Sequence, residues 1–206
     1  MSRIGLTLIY TLFATLCTGC MDDTAEPQGG DADNPVTING CEFDGTVDCA
    51  GFDLSGTSLS GFDLKNANLE GADLEGADLR NTDMTGAKLA GANLAGANLS
   101  GADLTDADLT LANLEGTVFS EKTNIDSKWL LVSSLVTSGG KDSNLLGLDL
   151  KGANLSGADL KGADLVHADL EGANLSGASL VGADLTKANL ISALMMTSDL
   201  SAAILA

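Results

Sequence analysis

EGADLEGADL, residues 70–79, is one five-residue unit written twice, and close variants of it fill most of the chain. Every fifth residue from Leu54 to Phe119 is large and apolar, and all of these are leucine except Met84 and the terminal Phe119. A second column with the same period runs from Leu150 to Leu205, with Met195 as its one exception. A fixed internal period has to be interpreted before any local propensity, so this repeat decides the fold.

The five-residue period fits neither an α-helix nor a straight strand. Five residues turn an α-helix by about 500°, so the leucines would spiral around its surface and share no face. In an extended segment Ala72 and Leu74 lie on one face, but Ala77, three residues later, would point the other way. The chain must therefore turn a corner in each unit, and Gly76 has the backbone freedom for it. Repeated corners of one hand predict a β-solenoid.

The pattern A-[D/N]-L-x-x resembles the repeat of the pentapeptide-repeat family, for example in Ala67-Asn68-Leu69 and Ala153-Asn154-Leu155. The resemblance covers about residues 52–119 and 148–205. It implies an all-β solenoid, a right-handed quadrilateral β-helix with four units per coil, although the period alone does not fix four sides. The leucines that we expect to point inward include Leu69, Leu74, Leu79, Leu94, Leu99, Leu104, Leu155, Leu160, Leu165, Leu170 and Leu175.

The two columns are out of phase, because Phe119 and Leu150 are 31 positions apart, six units plus one residue. The coil therefore cannot simply continue between the first repeat segment, 41–121, and the second, 145–206. We interpret residues 122–144 as an insertion.

A short α-helix is predicted within the insertion. Asp126 or Ser127 is a suitable N-cap, and Gly139-Gly140 would end the helix. The apolar residues Trp129, Val132 and Val136 are spaced three and four residues apart, which predicts that they share one face of the helix. Packing of Trp129 against the solenoid is the main expectation, and a ligand contact through its ring is the alternative.

Residues 1–20 have the features of an export signal, with Arg3 followed by an apolar stretch over residues 4–16. Leu16-Cys17-Thr18-Gly19-Cys20 resembles a bacterial lipobox, which implies lipidation of Cys20, although Cys17 stands where such signals prefer leucine. A simple secretory signal, with Cys20 as a bystander, is the alternative. Residues 21–40 are rich in Asp, Gly and Pro and predict a disordered acidic linker.

Cys41 and Cys49 are the two remaining cysteines. Because an exported chain enters an oxidising compartment, we expect them to form a disulfide that closes the N-terminal end of the first repeat segment. A metal pair is the weaker interpretation, since His167 is the only histidine and lies far along the chain.

The chain is strongly acidic, with a formal net charge of −19. Loss of residues 1–20 removes Arg3 and leaves 9 basic against 29 acidic residues, or −20. Such a surface repels nucleic acid and anionic lipid and favours cationic partners. With twenty residues per coil, Asp63, Asp83 and Asp103 would stack in a column. Calcium binding there is a minor alternative, because Ca²⁺ needs six to eight converging oxygens and a flat column does not converge.

The repeats contain no recognisable catalytic constellation. His167 falls on the outward part of its unit with no nucleophile specified nearby, whereas a triad needs a positioned base and an oriented carboxylate. No phosphate-binding loop, zinc motif or basic patch occurs in the sequence. We therefore expect a protein that is not an enzyme and that uses no cofactor or metal.

These features predict a noncatalytic, lipid-anchored acidic scaffold or protein-binding module of the bacterial cell envelope. The expected partners are the membrane, through the lipid, an unidentified protein, and a second copy of the chain. Leu194, Met196 and Ile204 form an apolar patch near the C-terminus, which suits either a homodimer or local capping. The alternative function is DNA mimicry, because some pentapeptide-repeat proteins protect DNA gyrase with an acidic rod; the export signal argues against it.

Overall fold

The structure is a computed structural model that describes residues 36–43 and 45–206. Cys20, the signal sequence and residues 21–35 lie outside the described residues, so the expectations about them are taken up again only as proposals. The described part contains strands β1 (Thr37–Ile38) and β2 (Cys41–Glu42), one helix, α1 (Ser127–Ser138), and two runs of coils formed from single bridge-forming residues.

The coils are held together by parallel pairs between residues twenty apart, such as Asp53 with Asp73 and Asp73 with Asn93. The Leu54 N–H donates to the Asp73 carbonyl (2.7 Å), and the Asp73 N–H donates to the Phe52 carbonyl (2.9 Å). A separation of twenty means four five-residue units in each coil. Each unit contributes one bridging residue before the chain turns, so this β-helix contains no long strands.

Leucine fills the interior of the coils. The eleven leucines named above are at most 2% exposed, and the alanines two residues before them are also buried in most units. Complete burial of a leucine side chain stabilises a fold by about 1.5–3 kcal/mol. Leu205 continues the same column, but its side chain is 61% exposed, and no coil of the described residues lies beyond it.

The corners of the coils use the left-handed backbone region. Gly76 has φ of 63°, as the sequence pattern requires of the residue before Ala77. Several corners carry a side chain instead, including Asn66, Leu111 and His167, with φ of 56°, 59° and 59°. Asparagine is the residue best suited to that conformation after glycine, whereas leucine and histidine carry a conformational cost there.

A small β-hairpin covers the N-terminal end of the coils. Thr37 pairs with Glu42 and Ile38 with Cys41, across a turn in which Asn39 and Gly40 both have positive φ (48° and 88°). Asn-Gly is the preferred sequence for such a turn. The predicted linker, 21–40, is therefore too long, since its last residues belong to the hairpin.

The disulfide of the structure joins β2 to the first coil. Cys41 and Cys49 are bonded, with their Cα atoms 5.4 Å apart, and both residues are buried. The ring of Phe43, which follows β2, packs edge-on against Phe62 at a centroid distance of 5.4 Å. The hairpin is thus attached to the coils by a covalent bond and by an aromatic contact.

Helix α1 lies where the two runs of coils are out of phase. Its N-cap is Asp126, whose carboxylate accepts from the Lys128 N–H (2.9 Å), and Gly139 follows its last residue. The regular pairing of residues twenty apart ends here, because Asp103 pairs with Asn124, which is 21 residues away. Pairing of residues twenty apart resumes with Asn144 and Asp164. The helix therefore occupies part of the insertion predicted over residues 122–144, and the ends of that range belong to the coils.

Side chains of α1 satisfy the backbone of the last coil of the first run. The Ser133 hydroxyl donates to the Leu114 carbonyl (2.9 Å), and the Gly116 N–H donates to the Thr137 hydroxyl (2.7 Å). Val132 is fully buried. Beside the helix the two runs touch directly, since the Leu111 N–H donates to the Gly152 carbonyl (2.7 Å).

Candidate binding surfaces

The acidic column, Asp63, Asp83 and Asp103, lies on one outer side of the first run. Asp63 pairs with Asp83 and Asp83 with Asp103, so the three residues occupy the same position in successive coils. The next residue of the column is Asn124, whose side-chain amide donates to Asp103 (3.2 Å). The carboxylates are therefore stacked at the spacing of neighbouring strands, about 4.8 Å.

Each carboxylate of the column also accepts a hydrogen bond from its own turn. The Thr85 N–H and hydroxyl both donate to Asp83 Oδ1, at 3.0 and 2.6 Å, and the Lys65 N–H donates to Asp63 Oδ1 (3.1 Å). The hydroxyl of Thr85, followed by its N–H, lowers the pKa of Asp83. Thr105 does the same for Asp103. These hydrogen bonds favour the charged form of Asp83 and Asp103, and all three carboxylates have a structural use in closing the turns.

This use was missed in the sequence, although a signal for it is present. In the coils, aspartate is followed two residues later by serine or threonine at Asp53, Asp83, Asp103, Asp108, Asp184 and Asp199, and at all of these except Asp108 the hydroxyl residue lowers the pKa of the aspartate. Asparagine serves in the same place in other units, as at Asn98, which accepts from the Ser100 N–H (3.1 Å). These are Asx-turns, which an aspartate or asparagine side chain forms with the backbone two residues on.

Carboxylates of the described residues do not converge on a common point. Within residues 36–43 and 45–206, no group of three or more His, Cys, Asp or Glu side chains is placed to hold a metal ion. The acidic column therefore presents a line of separate charges, which suits an extended cationic surface better than a single ion.

The side of the coils opposite the acidic column carries asparagines at several bridging positions, since residues ten apart lie half a coil apart. The Asn113 amide donates to Asn93 (3.0 Å), and the Asn174 amide donates to Asn154 (3.2 Å). Amides can form such bonds along a stack because each has both a donor and an acceptor. The negative charge is thus unevenly distributed, and this asparagine ladder is the less charged part of that side.

A groove lies where α1 joins the first run. It has a volume of about 380 Å³ and is lined by Leu104, Thr105, Asp106, Ala107, Asn124, Ile125, Asp126 and Trp129. The indole of Trp129 is only 8% exposed, so it forms the floor of the groove and contributes to the core. This position agrees with the packing role expected for the tryptophan.

Lys128 ties the helix to the second run. Its Nζ donates to the carbonyl of Lys151 (2.7 Å) and to Asp149 (3.3 Å), and it lies 4.8 Å from the centre of the Trp129 ring. Lys151 in turn forms an ion pair with Glu171 one coil further on (2.8 Å), as the twenty-residue spacing indicates. The hydrogen bond and the charge of Glu171 raise the pKa of Lys151, but because the pair is exposed it adds little to the stability of the fold.

The C-terminal patch consists of Leu194, Met196 and Ile204 together with Ile191 and Leu205. All five side chains are between 49% and 68% exposed. Leu194 and Ile204 occupy the outward, bridging position that is polar in most other units. Sequence reasoning named three of the five and missed Ile191 and Leu205, the latter because it continues the column of leucines.

His167 lies exposed at a corner of the second run, in the left-handed region. Its neighbours in the sequence are Val166 and Ala168, and neither side chain can act as a nucleophile or a base. No helix in the described ranges is long and apolar enough to cross a membrane.

Comparison with known proteins identifies the repeat. The family model described as "Pentapeptide repeats (8 copies)" matches residues 48–86, 82–120, 141–172 and 163–202, which is more than half of the chain. No curated protein matches the chain significantly.

Several solved structures are similar to this chain. A pentapeptide repeat protein of the Arabidopsis thaliana thylakoid lumen is 25% identical over 68% of this chain and 66% of its own, with a TM-score of 0.27. HetL of the cyanobacterium Nostoc sp. strain PCC 7120, a pentapeptide repeat protein involved in the regulation of heterocyst differentiation, is 32% identical over 76% of each chain, with a TM-score of 0.22. A trypsin-treated form of QnrB1, a plasmid-mediated fluoroquinolone resistance protein, is 20% identical over 75% of this chain and 79% of its own, with a TM-score of 0.29.

The TM-scores are low, so the assignment rests on the repeats and their spacing. The matched ranges coincide with the two runs of coils and leave out the whole of α1. The chain therefore belongs to the pentapeptide repeat family, whose fold is a right-handed β-helix.

Proposed function

We propose that this pentapeptide repeat protein is a noncatalytic scaffold of the bacterial cell envelope, anchored by a lipid on Cys20 and binding a cationic protein through its acidic sides. The observation that carries the proposal is the acidic column, in which Asp63, Asp83 and Asp103 stack on a rigid side without converging. Such a surface attracts an extended basic partner by summed, long-range electrostatics.

The N-terminal part of the chain supports the proposed location in the cell envelope. The lipobox-like segment ending at Cys20 supports export and anchoring, and two acyl chains on that cysteine would give a stable attachment. The Cys41–Cys49 disulfide is typical of a protein that folds in an oxidising compartment. Residues 21–35, with their Asp, Gly and Pro, have the composition of a tether between the lipid and the coils.

The experiment for the anchor is globomycin-sensitive labelling with a radioactive fatty acid, combined with membrane fractionation. Wild-type chain should be labelled and sediment with membranes, and Cys20→Ala should abolish both. Cys17→Ala is the matched control, because it alters the same segment and leaves the acceptor cysteine in place. An unprocessed, unlabelled chain in the cytosol would contradict the proposal.

A test of the acidic sides uses the variant Asp63→Asn/Asp83→Asn/Asp103→Asn. The amide keeps an acceptor for the turn and removes the charge, so the fold should persist. Proteins cross-linked to wild-type chain in intact cells should be lost with this variant and with rising salt, since screening weakens exposed charges. Unchanged cross-linking would place the binding surface elsewhere.

DNA mimicry is the second candidate, favoured by the same acidic column and by the formal net charge of −19. It requires a cytoplasmic chain that competes with DNA for a DNA-binding enzyme such as gyrase. The fractionation experiment separates the two functions, because a lipid-labelled chain in the envelope cannot reach that enzyme.

A second copy of the chain is a further proposed partner, through the C-terminal patch. The five exposed apolar side chains all belong to the last coil, and exposed apolar surface gathered at one end of a molecule is typical of an interaction site. Light scattering on wild-type chain and on Leu194→Glu/Met196→Glu should show a dimer that the two charges disrupt. A wild-type monomer at high concentration would leave local capping as the role of the patch.

A further inference from the structure

The N-terminal hairpin takes the place of a coil that would precede the first one. Asn39 Nδ2 donates to the carbonyl of Asp53 at 2.8 Å. One coil further on, the equivalent carbonyl, that of Asp73, accepts from the Leu54 N–H at 2.7 Å. The side chain of Asn39 thus supplies the hydrogen bond that a backbone N–H of a preceding coil would supply.

The hairpin also covers the apolar interior at that end. Leu54, Leu59 and Leu64, the inward leucines of the first coil, are fully buried although no coil precedes them. Phe43, against Phe62, and the buried Cys41–Cys49 disulfide hold the cover in place.

The hairpin leaves other backbone groups of the first coil unused. Within the described residues, the N–H and C=O groups of Ser58 and Asp63 that would face a preceding coil have no partner. The N-terminal end is therefore blocked sterically by the hairpin, while part of its hydrogen-bonding edge stays available.

The C-terminal end presents the matching edge. In the last coil, the N–H groups of Leu190, Met195 and Leu200 have no acceptor in the described part of the chain, and those three side chains are only half-buried. In the same run, the equivalent N–H groups of the leucines from Leu150 to Leu185 all donate to the following coil. Residues 187–206 carry only Lys187 and Asp199 as charged side chains, so this end is close to neutral.

We propose that the hairpin, Thr37 to Glu42, is a stop that prevents the C-terminal end of a second copy from stacking onto the first coil. Both ends have the same four-sided outline, an apolar centre and unpaired backbone groups of the kind that join one coil to the next. Stacking of unlike ends does not close on itself, so without a stop it would produce open fibres. The Cys41–Cys49 bond keeps the stop in place, and its reduction permits the stacking.

Reduction is a two-electron step with a defined balance. A dithiol transfers two electrons and two protons to the disulfide, which yields the free thiols of Cys41 and Cys49 and one cyclic disulfide of the reagent. The hairpin is then held only by noncovalent contacts, which are the packing of Ile38 and Phe43 on the core and the Asn39 hydrogen bond, and it can leave the end of the coils without breaking a covalent bond.

The experiment measures the mass of the full chain, purified in a mild detergent, by light scattering before and after treatment with a dithiol. The oxidised chain should not exceed the mass of a dimer at any concentration, and the reduced chain should grow with concentration beyond that mass. Removal of the dithiol and reoxidation should restore the starting mass, which shows that the growth does not come from unfolded chain. Cys41→Ser/Cys49→Ser should behave as the reduced chain does without any reagent.

The control is Leu194→Glu/Met196→Glu, which places charge at the C-terminal end and leaves the hairpin intact. The reduced control should not grow. Equal masses of the oxidised and reduced wild-type chain at every concentration would overturn the proposal, and so would growth of the reduced control. The dimer proposed for the C-terminal patch should not depend on the redox state, and the anchor is tested separately by the lipid label. Failure of either of those proposals is therefore distinguishable from failure of the stop.

Discussion

The two ends of the coil stack differ in how their apolar interiors are covered. At the N-terminal end, Leu59 and its neighbours in the first coil are fully buried beneath the hairpin. At the C-terminal end, Leu200 is half-buried and Leu205 is largely exposed. The units at the two ends have almost the same pattern, so the repeat itself does not determine whether a leucine is buried.

The difference shows that a solenoid gains stability from its neighbours, one coil at a time. An inward leucine needs the coils on both sides of it, or a cover that replaces one of them. The hairpin is such a cover, built from non-repetitive residues that include Asn39 and Phe43. At the C-terminal patch, none of the residues that the structure describes forms such a cover.

The largest expected effect comes from placing a charge in the interior at either end. Leu59→Asp buries a carboxylate without a partner and should cost more than about 4 kcal/mol in the free energy of unfolding. Leu200→Asp keeps its carboxylate close to water and should cost about 1–2 kcal/mol. Urea denaturation followed by circular dichroism measures both.

The control for that pair is Asp103→Asn, on the outside of the first run, which should change the stability by no more than about 0.5 kcal/mol. Equal losses for Leu59→Asp and Leu200→Asp would mean that the hairpin does not protect its end.

The next effect concerns the cover itself. Phe43→Ala removes a buried ring that packs on Phe62, and a substitution of this kind costs about 3–5 kcal/mol. Leu205→Ala, which truncates an exposed side chain at the other end, should be nearly neutral. Thermal melting of the two variants compares them directly, and a neutral Phe43→Ala would show that the hairpin packs only loosely.

Loss of the disulfide should be somewhat smaller. The two cysteines are eight residues apart, and closing so short a loop restricts the unfolded chain by about 2.5 kcal/mol. Cys41→Ser/Cys49→Ser should therefore unfold at a lower urea concentration than the oxidised wild type. The denaturation curve of this variant should not respond to a dithiol. The curve of the wild type should shift toward that of the variant when a dithiol is added.

The smallest expected effect should be the same at both ends. The hydroxyls of Ser55 and Ser201 lower the pKa of Asp53 and Asp199 below the ordinary 3.8. Because the folded pKa lies below the unfolded one, this stabilisation is complete above about pH 4 and is lost as the pH falls through the lowered pKa. Ser55→Ala and Ser201→Ala should each flatten the acid side of the stability curve slightly and to a similar extent.

Stability measured between pH 2 and 6 tests that statement. The carboxylates of Asp53 and Asp199 are each hydrogen-bonded within their own turn, so the hairpin that covers one end should not affect the acid response. A clearly larger acid response for Ser55→Ala than for Ser201→Ala would show that the hairpin and the Asp53 turn are coupled, which the local hydrogen bonds alone do not account for.

Much of the fold is predictable because the repeat is simple. The period excludes a helix and requires corners, and the slip in phase between Phe119 and Leu150 indicates a break. Gly139 marks the end of α1 clearly enough to be read from the sequence. Four sides to each coil follow only from the family resemblance, since a period of five is compatible with other numbers of sides.

Other features depend on contacts that a single sequence does not reveal. The hairpin was included in the linker because its acidic, glycine-rich surroundings concealed the Asn39-Gly40 turn. Leu205 fits the pattern of an inward residue, but its burial requires a further coil. The use of Asp83 and Asp103 in closing turns depends on a hydroxyl two residues on, which is an obvious signal only once the corners are located.

Amide hydrogen exchange tests most directly whether the two ends of the coil stack are unequally protected. The measurement is carried out at a concentration where the chain is monomeric. The N–H groups of Leu54, Leu59 and Leu64 donate to the next coil beneath a covered end, whereas those of Leu190, Met195 and Leu200 lack an acceptor in the described residues. The first three should exchange slowly and the last three at rates close to those of an unfolded chain. Similar protection at both ends would contradict the account.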